Sequence, residues 1–89
     1  FRMNIFIVST FDCTVDDFKE FIEEPENEKE IALCVAEAEV IEVNPHKAIS
    51  LLNVTNLDLF IQTVTSAKYK KWDEENNSVS SIFRLEKLK

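Results

Sequence analysis

The sequence contains no glycine. Phosphate-cradling loops, dinucleotide-binding fingerprints and nucleophile elbows all need glycine, because their backbone must approach a ligand closely or adopt a positive φ angle. None of these motifs can be built from this chain. The sequence therefore excludes nucleotide-phosphate sites of those kinds, and it excludes α/β-hydrolase chemistry.

Cysteine and histidine are also scarce. The two cysteines, Cys13 and Cys34, are too few for a disulfide scaffold, and their separation matches no zinc-ligand spacing. The single histidine, His46, falls in a predicted turn. We expect two free thiols, an exposed histidine, and no tightly bound metal, haem or other cofactor.

Long apolar runs are missing as well. No stretch approaches the ~20 residues of a membrane span, and the first residues lack the pattern of a secretory signal. We expect a soluble cytoplasmic protein that starts at Met3, with one domain over residues 3–89. A domain of this size buries only about 60% of the surface that its unfolded chain exposes, so a partner subunit would add to its stability.

The charge is acidic and unevenly distributed. Ten basic and seventeen acidic residues give a net charge of −7. Residues 12–42 hold twelve acids and two lysines, a local charge of −10, which leaves +3 on the rest of the chain. Such a surface repels phosphate backbones and argues against nucleic-acid binding. We interpret the acidic segment as a solvated helix face, the alternative being a surface for cations or a basic partner.

The first half of the chain predicts a strand, a helix and a hairpin. Residues 4–9 are a strand that is apolar on both faces. A helix starts at Thr14, with Asp17 completing a capping box, and ends or kinks at Pro25. Residues 26–33 have helix-like composition and can resume a short helix. Alternating residues then predict a hairpin over 35–54, with a β-bulge near residues 40–43 and a turn at 44–47.

The second half predicts a second helical segment and a last strand. Asn56 caps a helix with the apolar stripe Leu57, Phe60, Ile61 and Val64. Ser66 is predicted to cap a continuation over residues 67–76, and the last strand runs over residues 79–88. The resulting order, β-α-β-β-α-β, is typical of the α+β ferredoxin-like fold, in which two helices cover one face of a four-stranded antiparallel sheet.

Strands that are apolar on both faces need a cover on each face. Two helices cover only one face of the sheet, and the chain has no further element for the other. We therefore predict a homodimer, with a seam that contains Leu51 or Leu52.

These patterns resemble the dimeric α+β barrel superfamily, which includes antibiotic-biosynthesis-monooxygenase-like, haem-degrading and stress-responsive proteins. The chain is most similar to its small uncharacterised members. The resemblance covers nearly the whole chain from Met3 and rests on the element order, the turn at residues 44–47, and the segments 51–58 and 65–72. It implies a homodimeric barrel fold, and it carries low specificity for function.

The superfamily's haem-degrading members have a histidine ligand in the second-helix region, and residues 57–76 contain none. Asn4 could correspond to their strand-one asparagine. Trp72 corresponds loosely to their helix tryptophan but is displaced along the helix. Neither role is transferred, and haem chemistry is not expected.

Four residues are candidates for lining a pocket: Asn4, Tyr69, Trp72 and Arg84. Tyr69 and Trp72 lie three residues apart on one predicted helix, where they either face a pocket or complete the core edge or dimer seam. Arg84 lies among apolar strand residues, where it either binds an anion or pairs with Glu37 or Glu39. No residue is assigned a catalytic role.

Two classes of function remain. The first is a homodimer that is non-catalytic or binds a small hydrophobic molecule, which we favour. The second is a cofactor-independent monooxygenase or isomerase acting on a hydrophobic or aromatic small molecule. An enclosed pocket above about 300 Å³ that contains Asn4, Arg84 or Trp72 side chains would favour the second class, and a packed interior would favour the first.

Overall fold

A computed structural model describes residues 2–89 of the chain. Its elements follow the order β-α-α-β-β-α-α-β. They are β1 (Ile5–Thr10), α1 (Val15–Glu23), α2 (Pro25–Ala32), β2 (Val35–Asn44), β3 (Lys47–Val54), α3 (Leu57–Val64), α4 (Ala67–Asn76) and β4 (Val79–Arg84). The strands form one sheet in the order β2-β3-β1-β4, with every neighbouring pair antiparallel. The predicted α+β ferredoxin-like fold is confirmed.

Each predicted helical segment consists of two short helices. The Thr14–Asp17 capping box starts α1, with both reciprocal hydrogen bonds formed. Pro25 occupies the first turn of α2, where its missing N–H costs nothing, so it starts a new helix after α1 has ended. Asn56 caps α3 by accepting a hydrogen bond from the Leu59 N–H. Ser66 holds the N-cap position of α4, but its hydroxyl makes no capping hydrogen bond.

The end of α4 shows how a chain without glycine makes a left-handed turn. Asn77 ends the helix with φ 48°, the only positive φ among the non-glycine residues of the described chain. Asparagine tolerates this conformation better than most residues with a β-carbon. The Asn77 side chain also donates a hydrogen bond of 2.6 Å to the Asp12 carboxylate, which ties this turn to the end of β1.

Two strand predictions need correction. The last strand ends at Arg84 and not at residue 88, because β1 begins at Ile5, the partner of Arg84. One further backbone hydrogen bond runs from the Leu85 N–H to the Asn4 carbonyl oxygen at 2.9 Å. The register of the hairpin shifts twice, once between Val35 and Glu37 and once between Glu42 and Asn44. The second shift matches the predicted bulge, whereas the first was not predicted.

The helices cover one face of the sheet. Alternate residues of β3 are buried beneath them: Ala48, Ser50, Leu52 and Val54. Two separate core clusters form on this face. One surrounds Ile5, Leu52 and Phe60 near one end of the sheet. The other surrounds Phe11, Val15 and Ala48 near the other end.

The opposite face of the sheet, here called the outer face, has no helix over it. Its register brings together the apolar side chains Phe6, Val8, Ile41, Ile49, Leu51 and Phe83. Ile41 and Phe83 are 42% and 51% exposed, and the rings of Phe6 and Phe83 lie 5.9 Å apart. The structure thus shows an apolar, uncovered sheet face, as the strand patterns predict. Leu51 lies on this face, whereas Leu52 belongs to the core beneath the helices.

The acidic segment is solvated over most of its length. Glu20, Glu23 and Glu28 are exposed. Glu30 is an exception, because its carboxylate accepts a 2.9 Å hydrogen bond from the Lys68 ammonium group and so links α2 to α4. Within residues 2–89 no helix is both long and apolar enough to cross a membrane.

Candidate functional site

A cavity of about 290 Å³ lies between the helices and the sheet. It occupies the space between the two core clusters. All four helices and all four strands are represented in or next to its lining, which includes Ile7, Phe21, Ile31, Val40, Phe60, Trp72, Ser78 and Ile82. The cavity therefore lies at the centre of the fold, where a packed core would otherwise be expected.

The cavity exists because the sheet beneath it carries small side chains. Ser9, Ser50 and Ser80 lie on the helix-facing side of three neighbouring strands, and Ala38 lies on the fourth. The Ser9 and Ser80 hydroxyl oxygens are 2.8 Å apart and hydrogen-bond to one another. These residues fill much less volume than the leucine or isoleucine that such positions usually hold. They also give the floor of the cavity a polar character.

Aromatic side chains form the wall opposite the sheet. The Trp72 indole stacks on Phe21, with ring centroids 5.0 Å apart and an interplanar angle of 16°. Phe18 lies 5.8 Å from the indole, and Tyr69 meets Phe21 edge-on at 5.2 Å. These rings come from α1 and α4, and such pairs are favourable beyond the area that they bury. They make this wall of the cavity apolar.

Tyr69 contributes a hydroxyl without a partner. The residue is only 8% exposed, and its hydroxyl oxygen is buried with no hydrogen-bond partner among the described residues. Burial raises the pKa of the Tyr69 hydroxyl to about 12, with smaller contributions from the negative charges of Glu30, Cys34 and Glu24. Tyr69 is therefore a neutral phenol, and a ligand that offers an acceptor to it would remove the cost of an unpaired buried group.

Asp73 is the carboxylate of the cavity. Asp73 follows Trp72 on α4 and lines the cavity, and its side chain is partly buried. Burial raises the pKa of the Asp73 carboxyl, and hydrogen bonding from Ser78 offsets part of that shift. The carboxyl is thus partly shielded from water, and a hydrogen-bond donor or cation in the cavity would stabilise its charged form.

The lining includes exposed residues at both edges of the sheet. Ser80 and Ile82 lie on β4, and Ala38 lies on β2. Thr65, between α3 and α4, is another exposed lining residue. The exposed lining residues of β4 offer a small molecule an entrance that requires no opening of the core.

Two of the four candidate pocket residues, Tyr69 and Trp72, line the cavity. Asn4 lies outside the lining, and its side-chain amide makes two 2.8 Å hydrogen bonds with the backbone of Val54, one as donor and one as acceptor. Arg84 is exposed and lies two residues beyond Ile82 on the same face of β4, next to the entrance but outside the lining. The structure therefore brings together only the two helix residues.

The predicted ion pair of Arg84 with Glu37 or Glu39 does not form among the described residues. The strand order puts β2 and β4 on opposite edges of the sheet, with two strands between them. Glu37 instead pairs with Arg2 at 2.8 Å. The pairing was predicted from charge alone, without the strand order.

Several lining residues were not singled out in the sequence. The polar ones are Ser9, Ser50, Thr65, Asp73, Ser78 and Ser80, and the aromatic ones are Phe18, Phe21 and Phe60. One signal could have found Ser50, because it interrupts the apolar helix-facing row of β3, and Ser9 ends the apolar helix-facing row of β1. Asp73 gave no comparable signal, since it lies in a charged helix segment.

The described residues offer no group of three or more histidine, cysteine or acidic side chains placed to hold a metal ion. Cys13 and Cys34 are free thiols, as predicted, and burial raises the pKa of each. His46 is exposed, and its Nδ1 lies 2.8 Å from the Cys13 carbonyl oxygen, so the ring ties the hairpin turn to the loop after β1. Absence of a metal, haem or other cofactor stays a prediction.

No protein-family model matches the sequence, and no curated protein matches it. Solved structures do share its fold. SnoaB, a cofactor-independent oxygenase from Streptomyces nogalater, is similar with a TM-score of 0.58 and 9% identity, over 96% of this chain and 95% of that one. A conserved protein from Methanosarcina mazei Go1 is similar with a TM-score of 0.52 and 18% identity, over 96% of this chain and 95% of that one. A protein from Shewanella oneidensis is similar with a TM-score of 0.51 and 11% identity, over 96% of this chain and 93% of that one.

These likenesses establish the fold. The chain is a small ferredoxin-like α+β protein that shares its fold with SnoaB. At identities below 20%, they say nothing by themselves of activity.

Proposed function

We propose that this protein is a homodimer that binds a small aromatic molecule in the cavity between its helices and its sheet. The observation that carries the proposal is the cavity itself, walled by Phe21 and Trp72 and floored by serines. Ligand sites in proteins are typically concave and mostly apolar, with a few placed polar groups. The cavity has all three properties.

The size of the cavity supports a ligand of about two fused rings. Its volume of about 290 Å³ is close to the lower limit of common ligand pockets. An engineered apolar cavity of about 150 Å³ in another protein binds benzene. A cavity of roughly twice that volume accommodates a naphthalene- or indole-sized molecule, which the flat faces of Phe21 and Trp72 would contact.

The outer face supports the homodimer. Its six apolar side chains from four strands form a continuous surface with no helix above it. A second copy of the chain offers the same surface, which is self-complementary under a two-fold axis. Because the cavity lies on the opposite side of the sheet, dimerisation would leave its entrance at β4 free.

A cofactor-independent monooxygenase or isomerase acting on the same class of molecule is the second candidate. Asp73 favours it, because a partly buried carboxylate with a raised pKa lines the cavity beside Trp72 and could accept a proton from a bound phenol or activated C–H group. The shared fold with SnoaB is compatible with this chemistry. Oxygen uptake with an electron-rich phenol, lost in Asp73→Asn, would support catalysis over binding alone.

Isothermal titration with 2-naphthol tests the binding proposal. We expect a Kd of about 1 mM or tighter for the wild-type protein. Ser50→Leu fills the cavity floor with an apolar side chain and should abolish binding while the fold is kept. Ser81→Leu is the matched control, since it makes the same change on the outer face and should leave the Kd unchanged. Equal binding by both variants would contradict the cavity as the site.

A further inference from the structure

We propose that Asp73 selects the ligand of this cavity, so that aromatic molecules carrying a hydrogen-bond donor or a positive charge bind and aromatic carboxylates are rejected. This inference rests on the proposed function and adds the chemical class of the ligand to it. It assigns a specificity-determining residue that the sequence analysis did not single out.

The cavity lining contains a negatively charged side chain and no positively charged one. Nineteen residues line the cavity, and they include no lysine, arginine or histidine. Asp73 is the one carboxylate among them. A ligand carboxylate would therefore lose its hydration without gaining a cation, and it would lie near a second negative charge. A ligand amine or hydroxyl group would instead donate to Asp73.

The geometry of α4 brings recognition groups together. Tyr69, Trp72 and Asp73 are spaced i, i+3 and i+4, which places them on one face of the helix, and all three line the cavity. Trp72 is the middle element and provides the aromatic surface. A ring that packs against the indole would lie next to the Asp73 side chain, within reach of a short donor substituent.

Serine hydroxyl groups add to the polar part of the cavity lining that contains Asp73. Ser78 lines the cavity and lowers the pKa of the Asp73 carboxyl, and the Ser9–Ser80 pair lies on the facing sheet. Hydroxyl groups can donate or accept, so they do not discriminate by charge. The discrimination therefore comes from the carboxylate. The net charge of −7 acts in the same direction, because it lowers the local concentration of anions around the protein.

Arg84 is a positive charge near the cavity that would act against the rejection of carboxylates. It is exposed on β4 next to the entrance, two residues beyond Ile82, and it could attract a carboxylate to the mouth of the cavity. A solvated guanidinium outside the lining is screened by water and salt. Asp73, inside the lining and partly buried, should therefore dominate selection.

A matched set of probes tests the inference. Isothermal titration at pH 7 would compare naphthalen-2-ylmethylamine, 2-naphthol and 2-naphthoate, which share a ring system and differ in charge. For the wild-type protein we expect the amine and 2-naphthol to bind at least tenfold more tightly than 2-naphthoate. In Asp73→Asn, the ratio of the amine to the carboxylate should fall to within about threefold. Glu74→Gln removes an exposed carboxylate from the next position of α4 and should keep the wild-type ratio.

The outcomes separate the two proposals. Binding of 2-naphthoate as tight as that of the amine would overturn the role of Asp73 and leave the cavity as a ligand site. A ratio unchanged in Asp73→Asn would overturn it as well. The first of these outcomes needs no variant, so it can overturn the role of Asp73 even where Asp73→Asn does not fold. Failure of all three probes to bind the wild-type protein would overturn the proposed function together with this inference.

Discussion

The indole of Trp72 and the ring of Phe21 are stacked 5.0 Å apart, and this contact joins α4 to α1 at the wall of the cavity. Phe18 packs against the same indole, and Phe11 meets it edge-on at 6.2 Å. The aromatic wall is therefore built from residues of both helical segments. Trp72 is also the only tryptophan of the chain, which makes it a specific reporter of the cavity.

The outer face gives the first prediction, which concerns the homodimer. Leu51→Glu places a carboxylate in the middle of this face, between Phe6 of β1 and Glu39 of β2. Because a buried unpaired charge costs several kcal/mol, the substitution should convert the dimer to a monomer. Sedimentation at micromolar concentration would show a shift from about twice 10.3 kDa to 10.3 kDa.

Ile61→Glu is the control for this experiment. Ile61 is 39% exposed on α3, on the helix side of the sheet, so its replacement should leave the dimer intact. A wild-type protein that sediments only as a 10.3 kDa species would contradict the homodimer.

Asn27 gives a prediction about the link between α1 and α2. The residue is fully buried, and its amide donates a 2.7 Å hydrogen bond to the carbonyl oxygen of Phe21 in the last turn of α1. Asn27→Ala removes the shorter of the two hydrogen bonds to that carbonyl, which keeps a 3.3 Å bond from the Glu24 N–H, and it should lower the free energy of unfolding by about 1 kcal/mol. Glu28→Ala, at an exposed neighbouring position, should change it by less than about 0.5 kcal/mol. Chemical denaturation measures both, and equal effects would refute the role of the amide.

Tyr69 gives a prediction about pH. It is the only tyrosine in the chain, so absorbance near 295 nm reports its ionisation alone. The folded protein should titrate at about 12, because burial disfavours the tyrosinate, whereas the denatured protein should titrate near 10. The pKa is raised on folding, so the folded state holds its proton longer and the free energy of unfolding should fall as pH rises above about 10. A folded-state titration near 10 would show that the hydroxyl is solvated.

The fold could be predicted from the sequence because its signals are local. Thr14 with Asp17, Asn56, and the alternation of the hairpin each specify an element within a few residues. Pro25 left its segment ambiguous, because a proline can end one helix or occupy the first turn of the next. The outer face was predictable for a similar reason, since the strands show apolar residues on both sides.

The cavity could not be predicted in the same way. It depends on small residues from separate strands, and only the register brings Ser9 and Ser80 together across the sheet. Asn4 was proposed for a pocket, yet its amide is held by Val54, fifty positions along the chain. An ion pair between Arg84 and Glu37 was predicted from their charges alone, whereas the strand order keeps the two residues apart. Contacts distant in sequence thus account for most of the differences.

The most direct test of the ligand site is the indole N–H resonance of Trp72 in a ¹H–¹⁵N correlation spectrum. The chain has a single tryptophan, so this resonance needs no assignment. On titration with 2-naphthol it should shift progressively and saturate, because the ring current of a ligand against the aromatic wall acts on it directly. In Ser50→Leu the resonance should stay in place over the same titration. An indole resonance that does not move in the wild-type protein, while backbone resonances of Ile49 and Leu51 on the outer face do, would contradict binding in the cavity.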